Sequence, residues 1–237
     1  VLGGLIEHCE RRGIKPHGLL ELRPMGEMMP FDLRERAREA WGVPVVDMYT
    51  CQEAGYLALQ CPEHEHYHVQ AENVLLEVLD DHDAPCRPGE VGRVVVTALH
   101  NFATPLIRYE VGDYAEVGET CPCGRGLPVL KRIVGRHRNL LTLPSGERRW
   151  PKMGYEGLRR VVPVDLMQIV QHALDDVEVR LAMPQPLTAE QQQALTEYIH
   201  RNFGHPFPLR FTYGVELRNP KTGKLEQFIS MLPARTA

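Results

Sequence analysis

Nowhere in this chain of 237 residues do about 20 apolar residues run together, as a membrane-spanning helix requires. Long runs of one charge sign are missing as well. The 27 Lys and Arg set against 31 Asp and Glu leave a net charge of −4, and no basic patch is interleaved with aromatic side chains. These absences argue against nucleic acid and against a membrane as partner. No basic start precedes the first apolar residues and no small-residue cleavage site follows them, so no secretion signal is read and a cytoplasmic setting is expected. Internal repeats and low-complexity tracts are lacking too. What is present is an ordinary globular composition, 43% hydrophobic and 24% charged, with 20 Gly and 19 Pro. A chain of this size buries about 70% of the surface it exposes when unfolded, enough for a core without disulfides or metal.

Leu2, Leu5, Ile6 and Cys9 recur at the spacing of one helical face, and the chain opens on Val inside that pattern, as though it started within an element. Pro16, Gly18, Pro24 and Gly26 break the apolar text of residues 14–27 into a short buried strand between turns. Residues 31–41 read as a helix with Gly42 where a left-handed cap belongs, and residues 43–48 as a β-branched strand. This alternation predicts a sheet with helices packed on it. Strands expected at 68–70, 74–79, 92–99 and 107–109 then follow at short intervals, as in an antiparallel region. Past Gly135 and Arg136 comes a hairpin over 140–150, turning at Pro144, Ser145 and Gly146. A helix at 153–160, strands at 166–172 and 176–183, a helix at 188–202 and a strand at 209–215 complete an α+β unit. The expected fold class is α/β plus α+β, with domains at 1–138 and 139–237.

Cysteine and histidine carry the first chemical signal. Cys61 and His68 flank a turn containing Pro62, His64 and His66, and Cys121, Pro122, Cys123 and Gly124 form a tight knuckle further on. Three thiolates and one imidazole make a closed tetrahedral zinc set, which is structural because it leaves no position for water. Against this, Cys9, Cys51, Cys61, Cys86, Cys121 and Cys123 could all be small buried side chains in a reducing compartment. The metal reading is preferred for Cys61, Cys121 and Cys123, since loop cysteines beside Gly and Pro fill cores poorly; His64 and His66 read as solvated.

The second signal is acidic. Tyr49, Thr50, Cys51, Gln52 and Glu53 follow an expected strand, and the carboxyl end of a strand in an α/β sheet is where ligands sit. An aromatic face beside a carboxylate suits a purine and a magnesium ion. Arg108, Tyr109, Glu110, Val111, Gly112 and Asp113 end another expected strand, where a carboxylate on a tight Gly turn can accept from two sugar hydroxyls. Glu53 read alone could equally be a helix-start charge, and Asp113 a turn residue. Lys221 and Lys224, around Thr222 and Gly223, could set an ammonium against a phosphate, or simply form an exposed basic turn.

In this order the motifs resemble the adenylate-forming superfamily, specifically its phenylacetate–CoA ligase-like branch, over residues 14–232. The stretches that carry the resemblance include Tyr49 to Glu53, Cys61 with His68, Pro105-Leu106-Ile107-Arg108-Tyr109 with Gly112-Asp113, Cys121-Pro122-Cys123-Gly124-Arg125, Gly135-Arg136, and Gly223-Lys224. The resemblance implies the end of a large nucleotide- and acid-binding domain followed by a small mobile domain. It implies activation of an aromatic or related carboxylic acid by ATP and Mg2+ through an acyl-adenylate, then transfer to coenzyme A or another thiol. It places Tyr49 against adenine, Asp113 on the ribose, Glu53 on magnesium and phosphates, and Arg136 near the nucleotide. Lys224 becomes the mobile catalytic lysine, Asn139 the hinge, and Cys61, His68, Cys121 and Cys123 the structural zinc ligands. The chain departs from the family's usual residues at Thr50, Gln52 and Asn139, and residues 1–48 hold no Gly/Ser/Thr-rich loop of the kind that cradles ATP phosphates. A fragment lacking the N-terminal half of the large domain is therefore expected. The alternative is a noncatalytic, zinc-stabilised nucleotide-binding module built on the same fold.

Overall fold

The computed structural model describes residues 2–26, 29, 33–151, 158, 161–164, 166–218 and 225–232. The chain divides into two compact units, Val1–Gly135 and Arg136–Ala237, a break slightly ahead of the one expected at Asn139.

In the first unit, helices α1 (Leu2–Arg12) and α2 (Leu33–Trp41) bury one stripe each, Ile6 and Cys9 on α1 and Leu33 and Ala37 on α2. Gly42 takes φ 74° and donates its N–H to Arg38 O, closing α2 with a left-handed cap that a side chain would strain. The strand expected within 14–27 is reduced to a single parallel bridge between Leu22 and Val45, and Leu20 is 84% exposed. Pro16 and Pro24 have no N–H to donate, so no ladder propagates around Leu22. For the same stretch of sheet, the strand expected over 43–48 starts only at Met48.

Seven strands follow: β1 (Met48–Cys51), β2 (Gly55–Gln60), β3 (Tyr67–Val69), β4 (Val74–Leu79), β5 (Val91–Ala98), β6 (Tyr109–Val117) and β7 (Val129–Arg136). Their order in the sheet is β1-β2-β3-β7-β6-β5-β4. Side chains from every one of these strands enter one apolar cluster, among them Tyr49, Leu57, Val69, Val78, Val94, Ala115 and Leu130. Two expectations change here. Tyr49 does not follow a strand but lies within β1, which pairs antiparallel with β2. Gly112 and Asp113 do not sit in a turn after a strand ending at 109; they lie inside β6. The alternation fails there because β6 bulges: Arg93 and Val95 of β5 face Tyr114 and Glu110, and Gly112, at φ 82°, absorbs the extra chain.

The second unit opens with a 3-10 turn (His137–Asn139) and a small hairpin, β8 (Leu141–Thr142) and β9 (Arg148–Arg149). It continues with β10 (Met167–Gln171), β11 (Val177–Leu181), α3 (Ala189–Phe203), β12 (Leu209–Tyr213) and β13 (Phe228–Ser230). The sheet order is β12-β11-β10-β13, with β10 and β11 antiparallel and the outer pairings parallel. Thr188 and Gln191 form a reciprocal capping box at the start of α3, and Gly204 in the left-handed region ends it. Leu195, Ile199 and Phe203 of α3 join Ile169, Val177, Val179 and Leu181 in one core. Most of the helix expected at 153–160 lies outside the described residues, as does the turn carrying Lys221, Thr222, Gly223 and Lys224.

Candidate functional site

Tyr49 and Asp113 are 64 positions apart in sequence, yet the Tyr49 hydroxyl donates to Asp113 Oδ2 at 3.0 Å. Strands β1 and β6 are four places apart in the sheet order, about 19 Å in a flat sheet. The sheet is therefore curled, and the curl brings its edge strand β1 over β6. A second bond ties the same elements together, from the Tyr109 hydroxyl to Glu53 Oε1 at 3.4 Å. Glu53 is exposed at the tip of the β1–β2 hairpin, while Tyr49 is buried. Both Tyr49 and Asp113 stand beside register irregularities, at Tyr49/Thr50 and across the β6 bulge. Bulges re-aim side chains and are common next to active sites. Arg108, just before β6, holds a positive φ of 48° without being glycine, and its N–H donates to Thr97 Oγ1 at 3.0 Å. The result is an acidic and aromatic corner made of two tyrosine–carboxylate pairs, Tyr49 with Asp113 and Tyr109 with Glu53, that join β6 to the β1–β2 hairpin. Tyr109 had no expected role; its only sequence signal was its place beside Arg108.

Arg136 and Lys224 belong to the second unit of the chain. Arg136 is the first residue of the second unit, and Lys224 lies outside the described residues. Asn139 is fastened at both ends of its amide: Oδ1 accepts from Arg136 N at 3.3 Å, and Nδ2 donates to Phe228 O at 2.7 Å. A carboxylate in its place could not make the second bond.

The cysteine–histidine group forms within the first unit. The ligand atoms of Cys61, His66, His68 and Cys121 all lie within 4.8 Å of one another. Cys61 Sγ is 3.9 Å from Cys121 Sγ, and Cys123 Sγ is 3.3 Å from His68 Nε2. A tetrahedral zinc ion has ligand-to-ligand edges of about 3.8 Å between sulfurs and about 3.5 Å between sulfur and nitrogen. These two separations are close to those such an ion imposes, while the mutually close group holds His66 in place of Cys123. Buried nitrogens His66 Nε2 and His68 Nδ1 have no hydrogen-bond partner. Each such atom costs about 1–3 kcal/mol when left unpaired, a cost that metal ligation would remove for an atom that binds the ion. Burial pushes the Cys121 thiol up to about 11. The backbone N–H of Arg125 draws Cys123 down to about 6, aided by the Arg125 side chain. Soft thiolates with imidazole are a donor set that suits zinc.

His66 corrects the expectation that it is solvated. Burial, with His64 and His68 as like-charged neighbours, lowers its pKa. The missed signal was the two-residue spacing of His66 and His68, which puts both rings on one side of an extended chain.

A search of family models matched none. The chain is 30% identical over 208 residues to the phenylacetate–coenzyme A ligase of Thermus thermophilus, covering 82% of this chain and 46% of that enzyme. It is 27% identical to the phenylacetate–coenzyme A ligase of Pseudomonas putida, over 76% of this chain and 42% of that one. Among solved structures, 2-hydroxyisobutyryl-CoA ligase in its postadenylation state with an acyl-AMP aligns with a TM-score of 0.72 at 21% identity, covering 96% of this chain and 52% of that chain. The chain thus spans about half the length of the relatives it matches. Over that span, it belongs to the phenylacetate–CoA ligase-like branch of the adenylate-forming enzymes.

Proposed function

We propose that the protein of which this chain is part is an AMP-forming carboxylic acid–CoA ligase for an aromatic or related acid. The acid carboxylate attacks the α-phosphorus of ATP and expels pyrophosphate; the thiol of coenzyme A then attacks the acyl carbon and expels AMP. The observation that carries this reading is the Tyr49–Asp113 bond, which sets a carboxylate beside an aromatic ring on a bulged strand. Asp113 is assigned to accept from the ribose hydroxyls and Tyr49 to pack against the adenine in that corner, and the nucleotide-binding role of Arg136 is proposed from the family resemblance. Glu53 has the hard oxygen donors that Mg2+ prefers, and one protein carboxylate with substrate phosphates is a usual set for that ion. Magnesium bound there would supply neutralisation of phosphate charge. Lys224 is assigned the ammonium that bridges carboxylate and α-phosphate, with Asn139 as the hinge that presents it. Cys61, His68, Cys121 and Cys123 hold a structural zinc ion.

Two measurements test the assignment. Calorimetric titration of AMP into the chain is expected to weaken more than tenfold on Asp113→Asn, and equal binding by the variant would remove Asp113 from the ribose. In the full-length ligase, Lys224→Ala is expected to lower acid-dependent pyrophosphate release by about 100-fold or more, the usual loss for one electrostatic contact to a transition state. Unchanged release would overturn the catalytic assignment.

A further inference from the structure

The proposed zinc centre has five donors for four tetrahedral positions, and the fifth is His66. Cys61 and Cys121 are buried, at 1% and 6% exposure, and His68 is buried at 3%. Cys123 is the half-buried thiol of the group, and it has alternative partners in the backbone N–H and side chain of Arg125. His66 Nε2 has none, although it is buried. Its ring is held by stacking on His64, with centroids 5.1 Å apart, and by an edge contact with His68 at 5.4 Å. His64, His66 and Pro122 also line a cavity of about 480 Å³, together with Glu119 and Lys131. His66 therefore stands between the buried donors and an open space, oriented before any metal arrives.

We propose that His66 is a reserve zinc ligand: Cys61, His68 and Cys121 are the constant donors, and His66 takes the fourth position whenever Cys123 leaves it. No oxidant or reductant is needed. One Zn–S bond breaks, the Cys123 thiolate passes to the Arg125 N–H and guanidinium, and one Zn–N bond forms from neutral His66. The centre changes from three thiolates and one imidazole, net charge −1, to two of each, net charge zero. The donor count stays at four, so the ion is not released when its most accessible ligand is lost.

This inference rests on the zinc centre but not on ligase activity, and the test separates the two. Metal-stripped chain is titrated with Co2+ and read by its tetrahedral d–d bands and sulfur-to-cobalt charge transfer. Wild type, Cys123→Ser, His66→Ala and the double variant are compared. Cys123→Ser is expected to keep the tetrahedral spectrum with about a third less charge-transfer intensity, in proportion to thiolates retained. Adding His66→Ala should then weaken Co2+ binding more than about tenfold. Should Cys123→Ser fail to fold, zinc release to a chromophoric chelator is compared in wild type and His66→Ala, where release at least tenfold faster from His66→Ala is expected. A double variant that binds as tightly as Cys123→Ser, or equal release rates, overturns the role of His66 alone. Failure of the wild type to take up Co2+ or Zn2+ overturns the zinc centre itself.

Discussion

Glu178 is a buried carboxylate of the second unit held by several polar partners. It is buried on β11, with Arg180 Nε at 3.0 Å, Thr212 Oγ1 at 2.7 Å and His172 Nε2 at 2.8 Å. Burial by itself would raise its pKa, but the hydrogen bonds from Arg180, Thr212 and His172 outweigh it and hold the carboxyl at about 2. A carboxyl depressed in the folded state stabilises the protein above its unfolded pKa of about 4.3, and that contribution fades as pH falls through the folded value. Glu178→Gln is therefore expected to lower stability at pH 7 by about 3 kcal/mol. In urea denaturation the gap between variant and wild type should shrink steadily from pH 4.5 to pH 2; a gap independent of pH would remove the ionised carboxylate as its cause. Residue chemistry of this kind is only half legible in sequence. Cys61, His68, Cys121 and Cys123 announce themselves by type and by flanking Gly and Pro, whereas Glu178 is one Glu among many until β10, β11 and β12 surround it.

At the scale of elements, close approach decides which glycines are required. A Cβ on Gly92 would meet Leu79 O at 2.3 Å and Cys86 Sγ at 2.5 Å, because β5 pairs with β4 and the turn between them folds back on its start. Neither neighbour is the free end of a long side chain. Gly92→Ala is expected to destabilise the protein by about 3 kcal/mol. Gly4 of α1 meets nothing within 4 Å, so Gly4→Ala is expected to be neutral or stabilising by up to about 1 kcal/mol. Midpoints of chemical denaturation check both, and a Gly92→Ala midpoint equal to that of Gly4→Ala would contradict the packing argument. Elements with a strong local period were legible: β4 matches its expected bounds, and α3 matches within a residue because Thr188 and Gln191 mark its start. Leu22 was not, because an apolar run between prolines looks like a strand but cannot form a ladder.

At the scale of the whole molecule, the two units give separate readouts of the proposed zinc centre. Every member of the cysteine–histidine group belongs to the first unit, and the two tryptophans are divided, Trp41 in the first and Trp150 in the second. With Trp150→Phe and Trp41→Phe reporting one unit each, chelation of zinc is expected to lower the melting temperature read at Trp41 by about 10 °C or more. The value read at Trp150 should move far less; equal shifts would argue that the units melt as one. Local features were legible along the chain: helical and strand periods, capping residues, the donor types of the cysteine–histidine group, and the ordered motifs by which the chain resembles its relatives. Which of those groups meet was set by long-range packing. The Tyr49–Asp113 bond depends on how far a seven-stranded sheet curls, and His66 became a donor only when β3 and the Cys121–Cys123 knuckle closed around it. Periodicity acts over a few residues and is written in them, whereas closure between distant strands depends on the summed twist, bulges and packing of every strand between.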